Sequence, residues 1–407
     1  MNAFLPQNFI KAFTCILFIL ITAFGYAQTE TDTFTTTGSF VVPNGITTVS
    51  VQAWGAGGGS GGIGSGFTSG GVGGASSFTT AVVAAGGSGS AGANNNTATP
   101  GAAGGTVANS TGTTRTAGNA GTTGAANNTN SKGGDGGSSP GGAGTTVAST
   151  TNATIAGVNG GIPGGGAAGA ARTSGGPNSR STGGGGGGAY AAGSVSALTP
   201  GNSITTTVGG GGTAGAGSFA AGGAGGRGEV RVTWDCTFAL TSGAGTNNQS
   251  VCLNAAITTI TYDIKGGRTT PSVTGLPTGV TATYNAITGL LTISGTPSIT
   301  GVFSYTVSQT GECAGSASGT IIIASTTWNG SAWSNGLPDA SKSVIFTGAY
   351  ASADNIEACS IQVTNNATVS ILSGADVTLN GPISVDTGSS FTLQSYANLF
   401  QPTGVTN

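Results

Sequence analysis

The sequence predicts an all-β chain, and three observations support that prediction. Glycine supplies 80 of the 407 residues and charged residues only 5%, so the strong helix formers of an ordinary surface are scarce. The remaining stretches alternate apolar and hydroxyl residues with a period of two, and Asn, Gly, Ser and Pro turns separate them. Composition then divides the chain into three modules, at residues 28–234, 236–324 and 326–407.

The first 27 residues have the pattern of a secretory signal peptide. Lys11 precedes an apolar run at residues 12–24, and the small-residue end Gly25-Tyr26-Ala27 follows. The run is shorter than the roughly 20 residues that a membrane-spanning helix needs. We therefore expect cleavage between Ala27 and Gln28, secretion, and no transmembrane span in the mature chain.

Charge and composition exclude several classes of function. A net charge of -2 and a pI near 4.9 leave no basic surface for nucleic acid. Without histidine, neither a Ser-His-Asp triad nor a histidine metal site can form. A chance Gly-x-Gly-x-x-Gly match near residues 57–62 has no helical pattern after it, so it does not predict a dinucleotide site. We expect no enzyme activity, no cofactor and no metal.

A two-carboxylate glycosidase is the remaining enzymatic alternative. Acidic residues on predicted turns and strand ends of the third module are more typical of a solvated surface than of catalysis. The five candidates are Asp339, Asp354, Glu357, Asp376 and Asp386.

The first module begins and ends with strand patterns around a glycine-rich insert. A hairpin of two strands is predicted at the start of the module, from residues 40–43, a turn at Asn44-Gly45 and residues 47–54. Glycine inside a helix or sheet costs about 0.5–1 kcal/mol relative to alanine, so the insert fits neither. It fits a polyproline-II-like helix with three residues per turn, whose backbone groups bond to neighbouring chains. For residues 94–152, a flexible linker is an equally good interpretation.

This module resembles the glycine-rich adhesin-type domain of bacterial and phage surface proteins. The resemblance implies a small β-sandwich that carries polyglycine-II-like helices, with a binding or spacer role and no catalytic residues. It rests on Phe40-Val41-Val42-Pro43, Val51-Gln52-Ala53-Trp54 with the glycines that follow, the run Gly183 to Gly188 before Ala189-Tyr190, Thr199-Pro200-Gly201 before Val208, and Gly222 to Gly228.

The second module alternates short strands and turns. About seven strands in under a hundred residues predict an immunoglobulin-like sandwich. Residues 275–280, 292–297 and 301–307 resemble the immunoglobulin-like repeats of bacterial surface proteins, which implies a spacer or adhesive module. Asp263 and Glu312 are nearly its only acids, too few for the six to eight oxygen ligands that calcium takes.

The third module predicts a short β-solenoid, because strands of three to five residues recur between Asn, Gly and Ser turns. Its opening, Trp328-Asn329-Gly330 with Trp333-Ser334-Asn335-Gly336-Leu337-Pro338, resembles surface proteins of Gram-negative bacteria that use a type IX export route. The resemblance implies the extracellular face of the outer membrane, if the chain is not released. No capping segment follows residue 399, so we expect a truncated chain or one that a partner completes.

Four cysteines remain after signal removal, an even number that predicts disulfides in an oxidising compartment. Three pairings are open. Cys252 and Cys313 lie where they can cross-link the second sandwich, whereas Cys236 and Cys359 lie in different modules and have no assigned partner.

The predicted function is therefore structural or adhesive, as a surface attachment protein or spacer stalk. Surface glycans or other cell-surface proteins are the expected partners. Two alternatives are the carbohydrate-binding part of a secreted polysaccharide-acting protein and, as a minor one, an ice-binding protein. Candidates for stacking on glycans are aromatic residues of the third module, although packing in a small core is the favoured interpretation: Trp328, Trp333, Tyr350 and Tyr396.

Overall fold

The computed structural model describes residues 28–94, 96–174 and 178–405. Within these ranges the chain forms strands and loops and no helix, so the all-β prediction is confirmed. The predicted signal peptide, including Ala27 of its cleavage site, lies outside the described residues.

The first module contains a two-sheet sandwich. One sheet has the strand order β1-β12-β3-β10-β6, the other has the order β2-β11-β4-β5, and β7, β8 and β9 form a small separate sheet. The strands are β1 (Thr29–Phe34), β2 (Gly38–Val41), β3 (Val49–Trp54), β4 (Ser76–Phe78), β5 (Val82–Ala84), β6 (Thr114–Thr116), β7 (Thr154–Ile155), β8 (Ala171–Arg172), β9 (Arg180–Ser181), β10 (Tyr190–Val195), β11 (Ser203–Thr207) and β12 (Glu229–Asp235).

The sandwich core follows from the period-two pattern of its strands. In β3, Val49 and Val51 are buried while Ser50 between them is exposed. Phe40 is fully buried, and its ring centroid lies 5.6 Å from that of Phe78 in an edge-on contact. The core therefore lies between the two sheets.

The predicted hairpin at Asn44-Gly45 is wrong. Strand β2 pairs with β11, whereas β3 pairs with β10 and β12 in the other sheet. The Asn44 and Gly45 N–H groups instead donate to Gly267 and Ala286 of the second module, at 3.0 and 2.8 Å. A turn dipeptide reverses the chain equally well within a sheet or between two sheets, so the sequence did not distinguish these cases.

The glycine-rich insert forms a bundle of extended segments that bond to each other with a period of three. Successive N–H groups of residues 55–60 donate in turn to three segments, 186–189, 71–74 and 223–226, with N···O distances of 2.8–2.9 Å. Three residues per turn is the repeat of a polyproline-II helix. The predicted polyglycine-II-like insert is therefore confirmed.

Three of these segments are each surrounded by six others. They are residues 55–63, 164–170 and 182–189, which bond to one another. Around them, in the described part of the chain, lie the segments 68–74, 85–93, 102–105, 119–122, 134–137, 142–145, 158–161, 212–215 and 220–226. Several of these fall within residues 94–152, where the structure supports ordered bundle segments and not a flexible linker.

The second module is also a two-sheet sandwich. Its strands β13 (Thr237–Leu240), β15 (Ile260–Lys265), β18 (Leu290–Gly295) and β17 (Val280–Asn285) form one sheet in that order. Strands β14 (Asn248–Ser250), β20 (Gly315–Ile323), β19 (Gly301–Gln309) and β16 (Ser272–Thr274) form the other. Tyr262 and Tyr305 are almost completely buried between the sheets.

The third module is a β-solenoid, as predicted. Its parallel sheets are β21-β22-β25-β28, β23-β26-β29 and β24-β27-β30, and inward residues such as Val344, Ile361 and Val377 fill its core. The strands are β21 (Ser325–Trp328), β22 (Ser343–Phe346), β23 (Tyr350–Ser352), β24 (Ile356–Ala358), β25 (Ser360–Val363), β26 (Thr368–Ile371), β27 (Asp376–Leu379), β28 (Ile383–Val385), β29 (Ser390–Leu393) and β30 (Asn398–Phe400).

The two disulfides lie at the boundaries between modules, and one of them joins two modules. Cys236 pairs with Cys313, and Cys252 pairs with Cys359, so disulfide formation is confirmed but the expected Cys252–Cys313 pair is wrong. Cys236 directly follows β12 and, like Cys313, packs against the core of the first sandwich, while Cys359 lies between β24 and β25 of the solenoid. The expected Cys252–Cys313 pair kept both cysteines within one module, whereas the packing of the second module against the solenoid brings Cys252 to Cys359.

An arginine lies at the same boundary as the Cys236–Cys313 disulfide and contacts the first module. The guanidinium of Arg268 donates to the carboxylate of Asp32 at 2.7 Å, to that of Glu312, and to the backbone oxygen of Val41 at 2.9 Å. Its guanidinium carbon also lies 4.8 Å from the Trp234 ring centroid. The first and second modules therefore share a polar and aromatic interface.

Candidate functional site

The predicted glycan-stacking residues lie in different environments. Trp328, Trp333 and Tyr350 pack against one another with ring centroids 5.2–5.5 Å apart. The indole N–H of Trp328 donates to the Ala349 backbone oxygen at 2.9 Å. This cluster covers the first turn of the solenoid core, so much of its ring surface contacts other rings. Tyr396, in contrast, is 87% exposed on the turn before β30.

The carboxylate candidates of the third module lie on its surface or in local turns. Asp339 accepts hydrogen bonds from the backbone N–H and hydroxyl of Ser341 and pairs with Lys342. These bonds lower the pKa of Asp339 to about 2. A general acid of a glycosidase needs a raised pKa, so Asp339 has the opposite character.

The described residues offer one group with metal-ligating atoms close together. It contains Glu30, Cys236 and Cys313. The two sulfurs form a disulfide, and metal binding requires a thiolate. This group is therefore a structural link and not a metal site.

A site that the sequence did not predict lies at the end of the bundle remote from the sandwich. The short antiparallel pair β8 and β9 places Arg172 directly opposite Arg180. Their guanidinium carbons lie 3.7 and 4.6 Å from the ring centroid of Phe219. We call Arg172, Arg180 and Phe219 the distal cluster.

A small apolar core positions this cluster. Ile63, Ala93 and Ala170 are buried together, and Ala220 packs against them. Ile63 bridges to Ala220, which directly follows Phe219, so the last turn of the bundle holds the Phe219 ring at its end. The distal cluster is therefore held by a packed apolar core and does not lie on an isolated loop.

The two arginines differ in exposure and bonding. Arg180 is only 2% exposed and donates to the side-chain oxygen of Asn94 at 3.3 Å and to the backbone oxygen of Asn178 at 3.1 Å. Burial, and then the charge of Arg172, lower the pKa of Arg180. Arg172 is partly exposed, and in the described part of the chain its side chain makes neither a hydrogen bond nor an ion pair.

Two exposed aromatic rings mark the same end of the bundle. Phe67 is 40% exposed and Phe219 is 45% exposed, in a bundle whose other exposed large apolar side chains, such as Val72, Val158 and Ile162, are aliphatic. Phenylalanine within a glycine-rich segment was the sequence signal that could have identified this end of the bundle. Aromatic and arginine residues are also the types enriched at binding hot spots.

Comparisons with known proteins assign no family to this chain. No protein-family model and no curated protein matches it. Among the described residues, no helix is long and apolar enough to cross a membrane.

Proposed function

We propose that this chain is an exported, non-catalytic surface protein that attaches its cell to a surface or holds a binding module away from it. The observation that carries the proposal is the architecture. A polyglycine-II-like bundle lies at one end of a cross-linked array whose other end is a β-solenoid. This architecture is more typical of a spacer with an exposed binding end than of an enzyme with a catalytic cleft.

We further infer the finer classes from the resemblances in the sequence. The first module corresponds to the glycine-rich adhesin-type domains, the second to the immunoglobulin-like repeats of bacterial surface proteins, and the third to type IX-exported surface proteins. Signal cleavage at Ala27 and an extracellular location are part of the same proposal. Two disulfides support it, because disulfides persist mainly outside the reducing cytosol.

The proposal is tested in the organism that produces the chain. Intact cells are treated with a protease that cannot enter them, and cells lacking the gene are compared with complemented cells for attachment to a submerged surface. We expect the chain to be cleaved on intact cells and attachment to fall without it. Protection from the protease together with unchanged attachment would refute the proposal.

A further inference from the structure

We propose that the distal cluster binds an anionic group, a carboxylate or a sulfate, of an acidic polysaccharide. The inference rests on the proposed function, since it names the class of ligand through which attachment takes place. It starts from Arg172, whose charged group lies over the Phe219 ring and makes no ion pair among the described residues. A guanidinium held in this way can present its planar fork of N–H donors to two oxygens of one anionic group.

The second arginine makes the binding of an anion at this site more favourable. Arg180 lies opposite Arg172 in the β8–β9 pair and over the same ring, so two positive charges share a small volume. Arg180 donates hydrogen bonds to the side-chain oxygen of Asn94 and to the backbone oxygen of Asn178, and these bonds fix the position of its guanidinium. An anion at Arg172 offsets the repulsion between the two guanidinium groups.

The distribution of charge along the chain favours an acidic ligand at this end. Residues 55–228 hold five basic side chains and one acidic side chain, although the whole chain has a net charge of -2. That one acid, Asp135, already pairs with Lys132 at 3.0 Å. The bundle is thus positively charged, whereas the remainder of the mature chain is negatively charged.

A polysaccharide fits this footprint better than a nucleic acid. A nucleic acid is held through many phosphate contacts, and the distal cluster offers one accessible guanidinium. The exposed rings of Phe67 and Phe219 provide apolar surface of the kind that packs against flat sugar faces. A uronate polymer carries both a carboxylate and such a face on each sugar.

The test measures binding of the full disulfide-bonded chain to polygalacturonate, dextran sulfate and uncharged dextran immobilised on a sensor. The informative variant is Arg172→Gln. Arg115→Gln is the matched control, because it removes the same charge from an exposed position near the sandwich. Thermal unfolding of each variant checks that it is folded.

We expect binding to one or both acidic polymers and none to dextran. Arg172→Gln weakens binding about tenfold or more, because a hydrogen-bonded charge pair is lost, and Arg115→Gln changes it less than about twofold. Equal losses in the two variants would show diffuse electrostatic attraction and overturn the site. Absence of binding to both acidic polymers would overturn the ligand class. Either result leaves the attachment assay unaffected, so the two proposals fail separately.

Discussion

Glycine in the bundle is required by space more than by backbone flexibility. A Cβ built on Gly185 would lie 2.1 Å from the backbone oxygen of Gly58, and one on Gly58 would lie 1.9 Å from that of Ser88. A change of side-chain rotamer cannot relieve such a contact, because the neighbouring atoms belong to the backbone. A Cβ on Gly210, on the outside of the bundle, would have no heavy atom within 4 Å.

Gly185→Ala is therefore expected to destabilise the first module strongly, by about 1–3 kcal/mol or more, as overpacked cores do. Gly210→Ala is the matched control and is expected to be neutral or to stabilise by up to about 1 kcal/mol, because alanine restricts the unfolded chain. Chemical denaturation followed by circular dichroism measures both. Equal stability of the two variants would contradict the close packing of the bundle.

Asp339 provides a test of pH dependence. Its pKa is about 2 in the folded chain and near 3.9 in an unfolded one, so its bonds to Ser341 and Lys342 stabilise the fold fully above about pH 5. This contribution is lost as the pH falls from about 4 to 2. The difference in stability between the native chain and Asp339→Asn is expected to shrink over that window. Denaturation series at several pH values measure it, and a difference that stays constant would contradict the assigned bonds.

Individual elements were predictable where local pattern decides their structure. Residues 40–42 and 301–307 alternate between more buried and more exposed side chains, as their period-two pattern predicts, and glycine density indicated the three-residue repeat of the bundle. Pairing between elements was less predictable. The Asn44-Gly45 turn joins two sheets and contacts another module, and nothing in a dipeptide specifies that distant partner.

The distal cluster shows the same limit at the candidate site. Arg172 and Arg180 come together because β8 pairs with β9, yet each of these strands has only two residues. Phe219 reaches them from a segment that is almost forty residues further along the chain. Short strands carry too little pattern to predict their pairing, so the cluster required the structure.

The surrounded segments of the bundle are expected to open last. The N–H groups of residues 184–187 all donate to backbone oxygens of neighbouring segments at 2.8–3.0 Å, and residues of this run are buried. Hydrogen exchange at these amides should be the slowest in the first module and slower than at residues 156–161 on the outside. Exchange at one common rate throughout the bundle would contradict this, since it would show that the bundle opens as a single unit.

In the whole molecule, the two disulfides interleave along the sequence. Cys252 lies inside the loop that Cys236 and Cys313 close, and Cys359 lies outside it. The Cys236–Cys313 disulfide lies at the boundary between the first two modules, where Arg268 also makes polar contacts, and the Cys252–Cys359 disulfide joins the second sandwich to the solenoid. Digestion without reduction is expected to yield the linked peptides Cys236–Cys313 and Cys252–Cys359, and a Cys252–Cys313 peptide would contradict the structure.

Interleaved disulfides also determine how the chain transmits a pulling force. Tension that enters at Cys236 runs along about 16 residues to Cys252 and then crosses directly to Cys359, so these residues extend to only about 55 Å. The strands between Cys252 and Cys359 carry no load once this path is taut. Reduction of both disulfides would release a further 107 residues, about 370 Å of chain.

Single-molecule stretching from the two ends of the chain tests this load path. Removal of one disulfide is expected to change the extension, and removal of the other is not. Replacing Cys252 and Cys359 with alanine reroutes the load through Cys313 and adds about 100 Å of extension. Replacing Cys236 and Cys313 leaves the short path intact and adds none. In a chain under tension, this path would therefore limit the extension between Cys236 and Cys359 to about 55 Å even after the second sandwich has lost its fold.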